Sequence, residues 1–320
     1  KLSAVFDSTH INSLAKKSGF LLRKSKLGGF QFLFSLVFAH HRGKQFSLLD
    51  MASYLFKDFK INITKQSLHD RFTGKAVLFV KSCLDNLLAQ KIRYQDDVNV
   101  LKSHFNRVRI KDSTKFSLPN SFSNKYKGYG GALPNSSSMI SIQFEYDFLS
   151  GQSMDLRLTD GVKNDQSDSR EFTHDIKEKD LFLRDLGYCT LNFLAAVDAA
   201  KAYFVSRLAP KVHIYNSETA QEPIDVKNYL KKIKKYKLKY IEVTVYLGKK
   251  ERLATRAVIS LADKATYEKR LKKTSKHAKS KGIQVSDAFK TKAQLNIMVS
   301  NVPVELLKAE NIRKIYSLRW

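Results

Sequence analysis

Cysteine, proline and acidic residues are all scarce in this chain, and each scarcity excludes something. Cys83 and Cys189 are its only thiols. Two cysteines cannot build a disulfide framework, so a reducing compartment is expected. The eight histidines are scattered and show no zinc spacing with those cysteines. Five prolines and thirteen glycines in 320 residues are too few for a collagen-like or low-complexity chain. No apolar run approaches the roughly 20 residues that cross a bilayer. The longest, Phe30 to Ala39 (FQFLFSLVFA), is interrupted by Gln31 and Ser35 and reads as a buried helix. No secretory h-region follows Lys1. There is no G-x-x-x-x-G-K-[ST], and Gly151-Gln152-Ser153 lacks the second glycine of G-x-S-x-G. Nucleotide-driven and esterase chemistries therefore have no support.

What the chain has in excess is positive charge. Against 30 acids stand 57 Lys and Arg, a net charge of +27. Such an excess calls for an acidic partner, nucleic acid ahead of an anionic membrane surface. Hydrophobic residues at 43% suffice for sizeable cores, and the length suggests about two domains.

Residues 1–100 read as helical. Ser47 and Asp50 have capping-box spacing ahead of LLDMASYLF, Thr64 is a second N-cap candidate before KQSLHDRF, and a third helical pattern runs from Lys75 to Ala89. Two short helices joined by a tight turn, then a third, have the outline of a helix-turn-helix, which with this charge suggests DNA binding. The period then changes to two. In NRVRIKD, Val108, Ile110 and Asp112 share one strand face and Arg107, Arg109 and Lys111 the other. Strands at 139–149 and from Met154 onwards follow, linked by Ser150-Gly151-Gln152, as an antiparallel meander. DLFLRD (180–185) reads as a buried strand, 190–200 as a helix and AKAYFVSRL as another buried strand. Beyond Pro210 come strands at 241–247, 254–261 and 293–303, the Lys-dense KKIKKYKLK (231–239), a basic helix at 264–281 and a final helix from Val304.

Two carboxylates stand out for their places. Asp112 closes the strand NRVRIKD, and Asp185 closes the buried strand LFLR. An acid at the end of a buried strand is costly unless it is paired, hydrogen-bonded or holding a cation. Each could equally cap the turn that follows. If the two strands are neighbours, the acids suit Mg²⁺, which favours carboxylate oxygens and retains waters. The acids of TDGVKNDQSDSRE (Asp160, Asp165, Asp168) read as a solvated loop. Lys231, Lys232, Lys234 and Lys235 are candidate phosphate contacts, giving affinity without sequence reading.

IKDSTKFSLP (110–119), the GYGG loop, LRDLGY (183–188) and the terminal IYSLRW (315–320) together resemble the DDE transposases of bacterial insertion sequences. The branch concerned has a β-rich insertion and a Tyr-x-x-Arg-x-x-x-Glu-x-x-x-x-x-x-Lys signature. The resemblance implies an α/β fold: an RNase H-like catalytic core at 101–208 and 293–320, interrupted by a basic β-rich insertion at 209–292 and preceded by a helical DNA-binding region at 1–100. It implies that Asp112 and Asp185 are metal-binding catalytic acids for a two-ion Mg²⁺ (or Mn²⁺) site, and that Tyr316 and Arg319 contact phosphates of the element's ends. It further implies a homodimer acting on double-stranded DNA, both transposon ends and target, in the bacterial cytoplasm with the nucleoid and not at a membrane; families of this branch commonly pass through a DNA hairpin. The signature's Glu would fall three residues past Trp320. On that count the 320 residues are expected to bind ends without cutting them, with Tyr316 and Arg319 loosely held in a fraying helix. A stand-alone metal-dependent nuclease and an inactive DNA-binding remnant are the alternatives.

Overall fold

The computed structural model describes residues 7–23, 25–38, 47–92, 97–129, 137–171, 175–209, 211–280 and 282–319. Two units are distinguished, Lys1–Val98 with Ser150–Gln152, and Asn99–Leu149 with Ser153–Trp320.

The first unit is helical, with its helix starts set by short polar side chains. Asp7 caps α1 (Ser8–Lys17) through His10 N. The apolar run forms α2 (Gly29–Phe38), which buries Phe32 and Leu33; Ala39 lies outside the described residues. Ser47 and Asp50 do form a capping box, opening α3 (Leu48–Phe59). Thr64 caps α4 (Lys65–His69) through Ser67 N, and α5 spans Gly74–Ile92. Ile11, Phe32, Met51, Leu55, Leu68 and Phe79 meet in one core, where Phe20 stacks on Phe79 with centroids 5.2 Å apart.

The second unit is built on one sheet. After α6 (Asp97–His104), its elements are β1 (Arg107–Leu118), β2 (Ser138–Asp147), β3 (Ser153–Asp160), α7 (Asp165–Glu171), β4 (Asp180–Arg184), α8 (Leu191–Ala199), β5 (Tyr203–Arg207), β6 (Ile214–Tyr215), α9 (Val226–Tyr236), β7 (Ile241–Leu247), β8 (Leu253–Leu261), α10 (Lys264–Ser280), α11 (Asp287–Ala293), β9 (Leu295–Ser300) and α12 (Ala309–Ser317). The strand order is β3-β2-β1-β4-β5-β9-β8-β7-β6. β1 to β3 form the antiparallel meander, while β1, β4 and β5 run parallel. That five-strand pattern is RNase H-like. Phe182 of β4, Phe204 of β5 and Phe193 of α8 form a core with Ile233, Val245 and Ile259.

The structure departs from the sequence reading at the end of β1 and adds detail at two further places. β1 continues to Leu118 instead of closing at Asp112, because β2 pairs with it along that whole stretch. The strands of 209–292 extend the same sheet. β9 returns antiparallel to β5, β8 pairs with β9, and β7 and β6 follow, so one sheet runs through them and the edge of β5 is covered. Residues 287–293, beside the expected last strand, form α11, capped by Ser286.

Candidate active site

β1 and β4 pair in parallel with Ile110 opposite Leu183 and Lys111 opposite Arg184. Asp112 and Asp185 each follow that last pair by one residue. Both belong to the face that carries Ile110 and Leu183, since side chains alternate along a strand. β4 stops at Arg184 while β1 goes on, so the two acids occupy neighbouring chain positions where the parallel pairing ends. Asp112 is exposed and accepts a hydrogen bond from Ser113 N at 2.9 Å. The Asp185 side chain is 38% exposed.

The next strand adds a residue that the sequence reading missed. Leu183 pairs with Val205, so Asp185 lies level with Arg207, two residues further on each strand. Arg207 Nη2 reaches Asp185 Oδ1 at 3.5 Å. The signal was present: an acid and a base end two consecutive buried strands, LFLRD and YFVSR. The terminal helix completes the group. Arg319 Nη2 lies 3.3 Å from the same Oδ1, and Arg319 Nη1 donates to the Tyr316 hydroxyl at 2.5 Å. Tyr316 and Arg319 are 6% and 9% exposed. The expectation that both would be loosely held is therefore overturned: α12 buries Ala309, Ile312, Ile315 and Tyr316, and the ion pair to Asp185 fixes Arg319 beyond its end. Burial raises the Tyr316 phenol, against the pull of Arg319 and Arg207, so it stays neutral.

On the opposite face the basic residues of β1 are interior. Arg109, Lys111 and Arg184 are 3%, 0% and 0% exposed. Glu145 of β2 lies among them, 2.8 Å from Arg109 Nε and 3.0 Å from Arg184 Nη2. Burial would raise Glu145, but Arg184, Arg109 and Lys111 overcome it and hold the carboxyl at about 2. Lys111 Nζ also meets Asp168 at 2.6 Å. Asp168 is thus no solvated loop acid. It sits on α7 with no exposed surface and also accepts from Arg157 at 2.7 Å. Burial opposes its ionisation, and Lys111 with Arg157 keeps it below the ordinary carboxylate range. Tyr188 of the LRDLGY motif is buried as well and donates to Gln143 Oε1. This layer is structural, and it carries the strand ends that display Asp112 and Asp185.

The Lys-dense segment is a helix. α9 turns Leu230 and Ile233 inward, and Lys231, Lys232, Lys234 and Lys235 are all exposed. Lys227, Lys231 and Lys235 recur every four residues, a spacing that sets like charges against one another unless an anion lies over them. The loop tyrosines Tyr126 and Tyr129 are described, whereas Gly130 and Gly131 lie outside the described residues.

Among the described residues no three His, Cys, Asp or Glu side chains gather as a metal cluster, and no helix is long and apolar enough to cross a membrane. Carboxylate oxygens from two adjacent strands are the donor type that a divalent ion retaining several waters takes, although Arg207 and Arg319 hold Oδ1 of Asp185 in the free protein. The family model for the transposase DDE domain matches residues 103–320, the stretch that holds every site residue above. The chain belongs to the DDE transposases. It is 32% identical to the transposase for insertion sequence element IS231F of Bacillus thuringiensis subsp. israelensis, over 97% of this chain and 68% of that protein. It is also 32% identical to the IS231B transposase of Bacillus thuringiensis subsp. berliner, over 97% of this chain and 67% of that one. With the IS1151 transposase of Clostridium perfringens the identity is 27%, over 98% of this chain and 69% of that protein. A DDE transposase is an enzyme that cleaves DNA and transfers strands, and its family works with divalent metal ions.

Proposed function

We propose that this transposase cuts the ends of its element and joins the freed 3′-hydroxyl to target DNA, with Asp112 and Asp185 as the carboxylates that hold Mg²⁺ or Mn²⁺. The parallel register of β1 and β4 supports this reading, since Asp112 and Asp185 are the residues that follow its last pair, Lys111 and Arg184. Bound there, divalent ions would supply Lewis-acid stabilisation of the attacking and leaving oxygens. The chain's own contribution is geometric. Strands fixed by buried ion pairs keep the two carboxylates in place, and the Tyr316–Arg319 pair offers a guanidinium fork suited to a backbone phosphate. α9 supplies charge further along the duplex, and paired ends would be held by a homodimer.

Incubating the whole encoded protein with duplex ends and Mg²⁺ tests the reaction class. Joined products are expected; hydrolysis alone, at any metal concentration, would make it a nuclease.

Lys231, Lys232, Lys234 and Lys235 are expected to set part of the salt dependence of binding. Each phosphate contact contributes about 0.9 to the slope of log affinity against log salt. Changing all four to Gln should flatten that slope by roughly 2–4, with duplexes of different sequence weakened alike. A filter-binding salt titration reads it, and an unchanged slope would mean that these lysines face only water.

A further inference from the structure

Two guanidinium groups occupy the ground that a metal ion on Asp185 would need. Arg207 and Arg319 approach the same oxygen, Oδ1, from different elements, one from the end of β5 and one from beyond α12. Their approach is organised. The Arg319 side chain is 1% exposed and bonded to the Tyr316 hydroxyl, and both guanidiniums lie over the Tyr316 ring, at 5.9 Å for Arg207 and 4.9 Å for Arg319. A divalent ion arriving at Oδ1 would meet two positive charges within a few ångströms, a strong repulsion in a partly dry site. A guanidinium fork that fits a carboxylate fits a phosphate equally well. The free protein therefore satisfies with its own carboxylate the two groups that a bound DNA end would satisfy with phosphate.

Resting on the reading of Asp185 as a metal ligand, we propose that Arg207 and Arg319 exchange partners on DNA binding: they hold Asp185 in the free protein, pass to a backbone phosphate when DNA arrives, and so release Oδ1 to the metal ion. Arg207 is on this account a positioning residue for the metal. The exchange couples the two ligands. DNA draws the arginines off the carboxylate and the metal fills the vacated oxygen, so each raises the affinity for the other, and by the same factor. The free protein is left a poor metal binder, which confines the loaded site to protein on DNA.

The test measures Mn²⁺ binding to the whole encoded protein by the loss of the free-ion EPR signal, without DNA and with a short blunt-ended duplex, corrected for Mn²⁺ bound by the duplex alone. The parent should bind Mn²⁺ about tenfold or more tightly in the presence of the duplex, within the usual range of coupling. Arg207→Gln, at a side chain already 43% exposed, should bind Mn²⁺ several-fold more tightly without DNA and show a smaller gain on adding it. Arg319→Lys, which keeps the charge and loses the fork, should also shrink the gain. If Arg207→Gln leaves DNA-free Mn²⁺ affinity unchanged while Asp185→Asn abolishes it, the exchange is overturned and the metal site stands. If Asp185→Asn binds Mn²⁺ as the parent does, the metal reading itself falls, and the exchange with it.

Discussion

Glu145→Gln should lower the thermal midpoint of the protein by roughly 5–15 °C, although residue 145 touches neither DNA nor metal. The carboxylate is 1% exposed and lies among Arg184, Arg109 and Lys111. Arg109 retains Asp175 at 3.1 Å and Lys111 retains Asp168 at 2.6 Å. Arg184 has no such reserve: among the described residues Glu145 is its carboxylate, and its Nε and Nη1 already lack a hydrogen-bond partner. Removing one member of a buried pair strands the other, which typically costs about 3–5 kcal/mol. At a few degrees per kcal/mol for a domain of this size, that gives the shift stated. Replacing both members, Glu145→Gln with Arg184→Met, should recover much of the loss, because no charge is then left unpaired. Calorimetry of the three variants decides it, and a single variant that melts with the parent would show that the network contributes nothing. The same carboxyl predicts acid lability. Its folded value, about 2, lies below the ordinary 4.5, so its stabilisation is present above about pH 4.5 and is lost as the pH falls towards 2.

This layer marks where the sequence stopped being informative. Strand periodicity put Arg109 and Lys111 opposite Val108 and Ile110, as observed, but alternation by itself assigns a charged face to solvent. Only the pairing of β1 with β2 and β4 brings Glu145 and Arg184 beside them, and those contacts join residues more than thirty positions apart. The same holds for Asp168, whose burial depends on α7 packing near Lys111. Local signals fared better. The Ser47–Asp50 and Thr64 caps depend on neighbours three residues away and were readable directly. So was the buried strand that Asp185 follows, since LFLR is apolar enough to sit inside a sheet. Asp112 drew notice as a strand end, and that reason changes: it is not where β1 ends but where β4 ceases to accompany it. Arg207 was missed because a basic residue at a strand end is unremarkable until the register sets it level with Asp185.

Asp112→Asn and Asp185→Asn should each reduce strand cleavage by roughly 10³-fold or more, while leaving DNA affinity measured without divalent metal unchanged or slightly raised. Asn keeps the shape of the side chain and removes the charge that a hard cation requires. Loss of the ion removes several kcal/mol of transition-state stabilisation, and each 1.36 kcal/mol is about tenfold in rate. DNA affinity rests on Lys and Arg meeting phosphate, and deleting a nearby negative charge does not weaken that attraction. Asp185→Asn carries a second effect, since it also loosens Arg207 and Arg319; Asp112→Asn carries none of this and isolates the metal-holding role.

The most direct measurement is single-turnover cleavage of a labelled end by the whole encoded protein carrying Asp112→Asn, at saturating Mg²⁺, with binding of the same end measured in parallel without divalent metal. The paired acids predict binding retained and cleavage lost; cleavage near the parent rate would remove Asp112 from the site and contradict the assignment on which the mechanism stands.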